Sequence, residues 1–145
     1  MRALSYRLEL PAQRDRVWWA LTTGEGLACW LCRRAEVEPY VGGRFELFLE
    51  ERAEPLIEPE LRCQVLSIDH PRLLQLAWHG PEAGPFESSE SEVRVQLFPT
   101  LSGTRLEITH ACTDPCYTWD EIRLSLERMW IDSLERLQVA VQQTS

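Results

Sequence analysis

His110 ends an alternating run with Leu106 and Ile108, which puts its ring on the same strand face as two aliphatic side chains. An imidazole in that position could orient a polar ligand group. Paired with a carboxylate or a tyrosine, it could also act as general base in a cyclase- or hydrolase-like reaction. An equally complete reading is a buried ring whose nitrogens are satisfied by neighbouring groups. The other two histidines offer less. His79 has the opposite parity to Trp78 and is expected to face solvent, while His70, in Asp69-His70-Pro71, reads as a turn residue. Two cysteine pairs have metal-like spacing, Cys29-Trp-Leu-Cys32 and Cys112-Thr-Asp-Pro-Cys116, and would make a four-thiolate zinc site if they met in space. Cys29 and Cys32 alone have redox-pair spacing but lack a βαβ context. Glu50, Glu51, Glu54, Glu58 and Glu60 read as a solvated loop, not a cation site. No nucleophile elbow, His-Glu-x-x-His, glycine-rich phosphate loop or EF-hand loop occurs. No residue is therefore assigned a catalytic or metal-ligating role, and no cofactor is expected.

Charge narrows the partners. The chain carries 23 Asp and Glu against 15 basic residues, a net of -8, which opposes nucleic acid and anionic membrane surfaces. Every basic residue is arginine, so Schiff-base chemistry and a P-loop lysine are excluded. No apolar run approaches the roughly 20 residues that span a bilayer, and Met1 to Leu10 alternate instead of forming a signal segment. A cytoplasmic protein is expected. The five cysteines are an odd set, which fits reduced thiols better than a closed disulfide framework.

The elements that must position these side chains follow from periodicity. Tyr6, Leu8 and Leu10 alternate with Arg7 and Glu9, a strand with one buried face. Pro11 stops it and opens a helix whose apolar side is Val17, Trp18, Ala20 and Leu21; after Gly24, Glu25 to Leu31 form a second short helix. Strands follow, with shared faces Phe45/Leu47/Leu49, Cys63/Val65/Ser67, Leu74/Leu76/Trp78, Val93/Val95/Leu97 and Leu106/Ile108/His110. Thr118 and Glu121 have capping-box spacing. From there Ile122, Leu126, Met129, Trp130, Ser133, Leu134, Leu137 and Val141 keep a helical period, and Arg123–Glu127, Arg128–Asp132 and Asp132–Arg136 are spaced as i,i+4 pairs. No linker or repeat divides residues 1–145, so one α+β domain is expected, with a sheet covered on one face by a long helix.

Five blocks in order resemble a known family. They are Leu10-Pro-Ala through Val17-Trp18, Ala20-Leu21-Thr22 and Gly26-Leu27-x-x-Trp30; Val41-Gly-Gly-Arg-Phe45; Ile68-Asp-His-Pro-Arg-Leu73 followed by Trp78; Gly103-Thr-Arg-Leu-Glu-Ile-Thr-His110; and Trp130-Ile-Asp-Ser-Leu-Glu-Arg-Leu137. The pattern is similar to the activator-of-heat-shock-protein-90-ATPase-like family, within the START/birch-pollen-allergen-like (SRPBCC) superfamily. That resemblance implies a helix-grip fold: a curved antiparallel sheet wrapped around a long C-terminal helix, with two short helices after the first strand, often around an internal cavity. It would also separate the two cysteine pairs, placing one near the far end of the long helix and the other before its start. Arg128 and Met129 stand where the family often has glycines, adding bulk near a cavity mouth. The chain begins at the first strand, without the separate N-terminal chaperone-binding domain of the eukaryotic activator, so a chaperone partner is a secondary expectation.

Six tryptophans sharpen the functional expectation. Trp30, Phe45, Leu47, Trp78, Val95, Leu97, Ile108, His110, Leu126, Met129 and Trp130 are the candidate ligand-binding residues, lining a hydrophobic cavity between sheet and helix. The alternative is that the rings simply fill that space. Tyr117 and Trp119, just before the long helix, are expected to be exposed, as a cavity lip or partner surface. The leading reading is a non-enzymatic binding protein for a small hydrophobic or aromatic molecule. A chaperone-activator-like interaction module comes second and an enzyme using His110 third.

Overall fold

The computed structural model describes residues 3–49, 61–79, 90–112 and 119–142. The elements run β1 (Ala3–Leu10), α1 (Arg14–Thr22), α2 (Gly24–Leu27), β2 (Arg34–Val37), β3 (Arg44–Phe48), β4 (Leu61–Asp69), β5 (Leu73–His79), β6 (Glu90–Thr100), β7 (Gly103–Cys112) and α3 (Trp119–Gln142). All neighbouring strands pair antiparallel, in the order β1-β7-β6-β5-β4-β3-β2. The 24 residues of α3, about 36 Å of helix, lie against the concave face. This is a helix-grip α+β fold.

The expected inward faces of β5, β6 and β7 are all buried: Leu74, Leu76 and Trp78, then Val93, Val95 and Leu97, then Leu106, Ile108 and His110. Their partner on α3 is the stripe Leu126, Trp130, Ser133, Leu134, Leu137 and Val141. Four features depart from the sequence reading. β2 was not anticipated: Arg34-Ala-Glu-Val alternates only between exposed and half-buried positions, so this short edge strand carries no apolar signature. In β4 the register against β5 shifts between Val65 and Ser67, so Ile68 is paired with the buried Leu74 and Ser67 is paired with Gln75. One inserted residue exchanges the two faces beyond it. The second helix is shorter than Glu25 to Leu31. Thr23 caps it by accepting from the Gly26 N–H at 2.9 Å, and past Leu27 the chain continues in turns. On α3 the expected i,i+4 ion pairs do not close among the described residues; Arg136 instead donates to the Trp30 carbonyl (2.9 Å) and the Ser133 hydroxyl (3.1 Å). Thr118 lies outside the described residues, as does the side chain of Glu121, and with them the capping box.

The short helices are seated by the β6–β7 hairpin. Thr104 Oγ1 donates to the Ala12 carbonyl at 2.7 Å, and a Cβ added at Gly103 would stand 2.1 Å from the Leu10 carbonyl oxygen. The obstacle is backbone, so it cannot swing aside. Gly103→Ala is therefore expected to destabilise the domain by about 2 kcal/mol, measured as a lower urea midpoint. A change below about 0.5 kcal/mol would show that the hairpin and the end of β1 separate freely.

Candidate functional site

Between the sheet and α3 there remains an internal gap of about 20 Å³. Trp30, Phe45, Trp78, Val95, Ile108 and Trp130 line it, together with Leu21, Leu27, Leu31, Leu74, Leu76 and Val93. Leu47, Leu97, His110 and Leu126 are fully buried but do not line the gap, and Met129 is half-buried against the core. The residues not anticipated carry a legible signal. Leu74 and Leu76 share the Trp78 face, Val93 shares the Val95 face, and Leu21 lies on the apolar side of α1.

Each lining tryptophan also brings an N–H, which must find an acceptor once buried. Trp30 Nε1 donates to the Ala20 carbonyl at 2.8 Å, fixing the turn after α2 against α1. Trp130 Nε1 donates to His110 Nδ1 at 2.9 Å. Trp78 is 1% exposed, and its Nε1 has no partner among the described residues. The gap is therefore an apolar space, and one of the residues lining it, Trp78, carries an N–H with no partner among the described residues.

His110 is 0% exposed and boxed by rings: Trp78 at 5.3 Å, Trp130 at 6.0 Å and Trp119 at 6.2 Å between centroids. Trp119, at 3% exposure, is part of this box and not the exposed lip expected of it. It is the first residue of α3 and turns toward His110, a contact that the period of the following helix does not encode. The His110 ring state follows from its bonds. An indole N–H can only donate, so Nδ1 must accept; Nε2 then carries the proton and donates to Ser91 Oγ at 2.7 Å. Burial pulls the pKa of the imidazole down from 6.5 to about 4, consistent with this neutral form. With its proton on Nε2, the ring cannot take one from Ser91, and neither partner is an acid or base. The arrangement is a satisfied core histidine, which argues against the enzymatic reading.

The remaining candidates disperse. His70 sits in the β4–β5 turn with its ring 5.4 Å from that of Trp18; the His79 side chain, Tyr117 and the Glu50–Glu60 loop lie outside the described residues. Cys29 and Cys32 are free thiols, Cys63 is buried in the core, and burial pushes Cys32 up to about 12. Cys112 is disulfide-bonded, which corrects the expectation of reduced thiols throughout. An odd set guarantees a free cysteine but does not forbid a bridge. Cys29 stands beside the C-terminal half of α3, away from its start, and among the described residues no three metal-ligating side chains converge. No helix among those residues is long and apolar enough to cross a membrane.

Comparison with known proteins gives a consistent picture. A family model described as "Activator of Hsp90 ATPase homolog 1-like protein" matches residues 11–142. Protein MLL2253 from Mesorhizobium loti superposes with a TM-score of 0.77 at 22% identity, covering 99% of this chain and 99% of that one. NE0264 from Nitrosomonas europaea gives 0.76 at 21% identity, covering 99% and 96%. An HSP90 activator from Plasmodium falciparum gives 0.75 at 19% identity, covering 98% and 97%. At these identities the likeness is one of fold. No curated protein matches the chain.

Proposed function

We propose, for a chain that belongs to the activator of Hsp90 ATPase homolog 1-like family, that it is a non-enzymatic binding module for a small apolar or aromatic molecule bearing one hydrogen-bond acceptor. Its seat is the gap between the sheet and α3. The observation that carries this reading is that Trp78, one of the residues lining this apolar space, holds a buried N–H with no partner among the described residues. A buried donor left unpaired costs about 1–3 kcal/mol, and an acceptor on a ligand would recover it. At about 20 Å³ the gap holds roughly one water, so binding requires its wall to give. Trp130, Leu21 of α1, Leu27 of α2, and Trp30 and Leu31 in the turn that follows are the lining residues outside the sheet. Cytoplasmic residence belongs to the same reading, supported by the free thiols of Cys29 and Cys32, whereas the disulfide at Cys112 is of the kind that persists in oxidising compartments.

The test is a matched pair of probes, acetophenone and ethylbenzene, alike in size but differing in the acceptor. At a hundredfold excess over Kd a ligand stabilises by about 2.7 kcal/mol, or roughly 5–10 °C in Tm for a chain of this length. Acetophenone is expected to raise Tm by that order and ethylbenzene by less, the difference vanishing in Trp78→Phe. No rise with either probe sinks the reading. The second reading, an activator-like module acting on a chaperone ATPase, is favoured by the family match and by the extent of the likeness to the Plasmodium activator. A stimulated ATPase rate of the same organism's chaperone, without any ligand-induced rise in Tm, decides for it.

A further inference from the structure

A second concave site lies on the outside of the fold. A groove of about 710 Å³ separates α1 and the end of α2 from the C-terminal half of α3, walled by Arg16, Trp19, Cys29, Asp132, Glu135 and Arg136. Its volume is that of small-molecule sites, far above the internal gap. Some arginines of this chain are claimed by the surplus of carboxylates; Arg44 lies within 4 Å of Glu36, Glu38 and Glu46. Arg16 has no such carboxylate among the described residues; its guanidinium stacks 4.9 Å from the Trp19 ring centre, and its buried Nε has no hydrogen-bond partner. Among the described residues Arg136 is bonded only to neutral oxygens, those of Trp30 and Ser133. Asp132 and Glu135 make no ion pair with either arginine. The groove therefore holds two cations and two anions, none paired with another, beside an indole face.

We propose that this groove binds a free α-amino acid with a bulky apolar side chain: its carboxylate on Arg16, its ammonium on Asp132 and Glu135, its side chain against Trp19. The charge balance selects this class. A simple anion would meet both carboxylates and a simple cation would meet Arg16, whereas a free amino acid presents both signs a few atoms apart. A guanidinium with no carboxylate partner among the described residues is suited to a carboxylate on a ligand, and a ring stacked under it suits an apolar or aromatic side chain.

Cys29 supplies the readout, since its exposed free thiol stands in the groove wall while Cys32 is half-buried and Cys63 buried. The experiment follows the rate of Cys29 alkylation by iodoacetamide, located by peptide mass, with three probes. L-phenylalanine carries both charges, 3-phenylpropionate lacks the amine and 2-phenylethylamine lacks the carboxylate. L-phenylalanine at millimolar concentration is expected to slow alkylation several-fold, and the two analogues at equal concentration to leave it unchanged. Arg16→Gln and Glu135→Gln should each weaken the protection about tenfold. Both positions are solvent-accessible, and each variant's Tm verifies that the fold is retained. Absence of protection by L-phenylalanine overturns the proposal. So does equal protection by all three probes, or full protection in both variants.

Discussion

Replacing His110 by alanine destabilises the domain by about 4 kcal/mol, the largest single-residue effect expected here. Two losses combine. The ring fills the space between Trp78, Trp119 and Trp130, and its removal leaves a void that large, mutually packed rings cannot close by small shifts. It also strands two buried polar groups, the Trp130 N–H and the Ser91 hydroxyl, which lose partners at 2.9 and 2.7 Å. The second loss can be separated from the first. In a Trp130→Phe background there is no indole N–H to strand, so the further cost of His110→Ala falls by about 1–2 kcal/mol. Urea unfolding at neutral pH of the four proteins in this cycle measures both quantities. A cost below about 1 kcal/mol for His110→Ala would mean that the aromatic box is not packed around this ring, and zero coupling that the Trp130–His110 bond contributes nothing.

The parts of this structure that alternation and helical period encode were legible from residues alone. Those that depend on how separate elements meet were not. The inward faces of β5, β6 and β7 and the buried stripe of α3 follow from one-dimensional patterns, because a covered sheet face and a covering helix each impose a period. β2 escaped because an edge strand with neither face fully buried imposes none. The exchange of Ser67 and Ile68 escaped because a bulge leaves no compositional mark in Val65-Leu66-Ser67. At the candidate site, parity placed His110 inside, but its tautomer is set by Trp130, which arrives from another element. The volume left between Trp30, Trp78 and Trp130 depends on ring orientations that no spacing records. The outer groove was hidden more thoroughly. Asp132 and Arg136 have the spacing of a helical ion pair, yet Arg136 turns to the Trp30 carbonyl, and only that choice leaves the charges of the groove unpaired. Correct spacing on a helix permits a pair, and competition from a neighbouring element decides it.

The buried imidazole also ties stability to pH, with a sign opposite to that of a histidine stabilised by a carboxylate. In the folded chain its pKa is lowered to about 4 by burial, against 6.5 for an unperturbed ring. Between those values the unfolded chain binds a proton that the folded chain does not, so stability rises with pH across the window. The contribution is complete above pH 6.5 and is lost as pH falls toward 4. Between pH 7 and pH 4.5 the loss attributable to this residue is about 2.5 kcal/mol. Carboxylates titrate toward the acid end of the same range, so the measurement is a difference: the pH dependence of urea-unfolding stability in the wild type minus that in His110→Gln. The mechanism fixes a further property. The ring is surrounded by Trp78, Trp119, Trp130 and Ser91, none of them charged, so the shift arises from desolvation and not from a neighbouring cation. Salt screens charge–charge interactions but not burial, and the same difference is expected at high ionic strength. A His110 ring that protonates near pH 6.5 while the chain remains folded, followed by NMR, would refute the account. It would mean that water reaches the aromatic box and that Trp130 does not hold Nδ1.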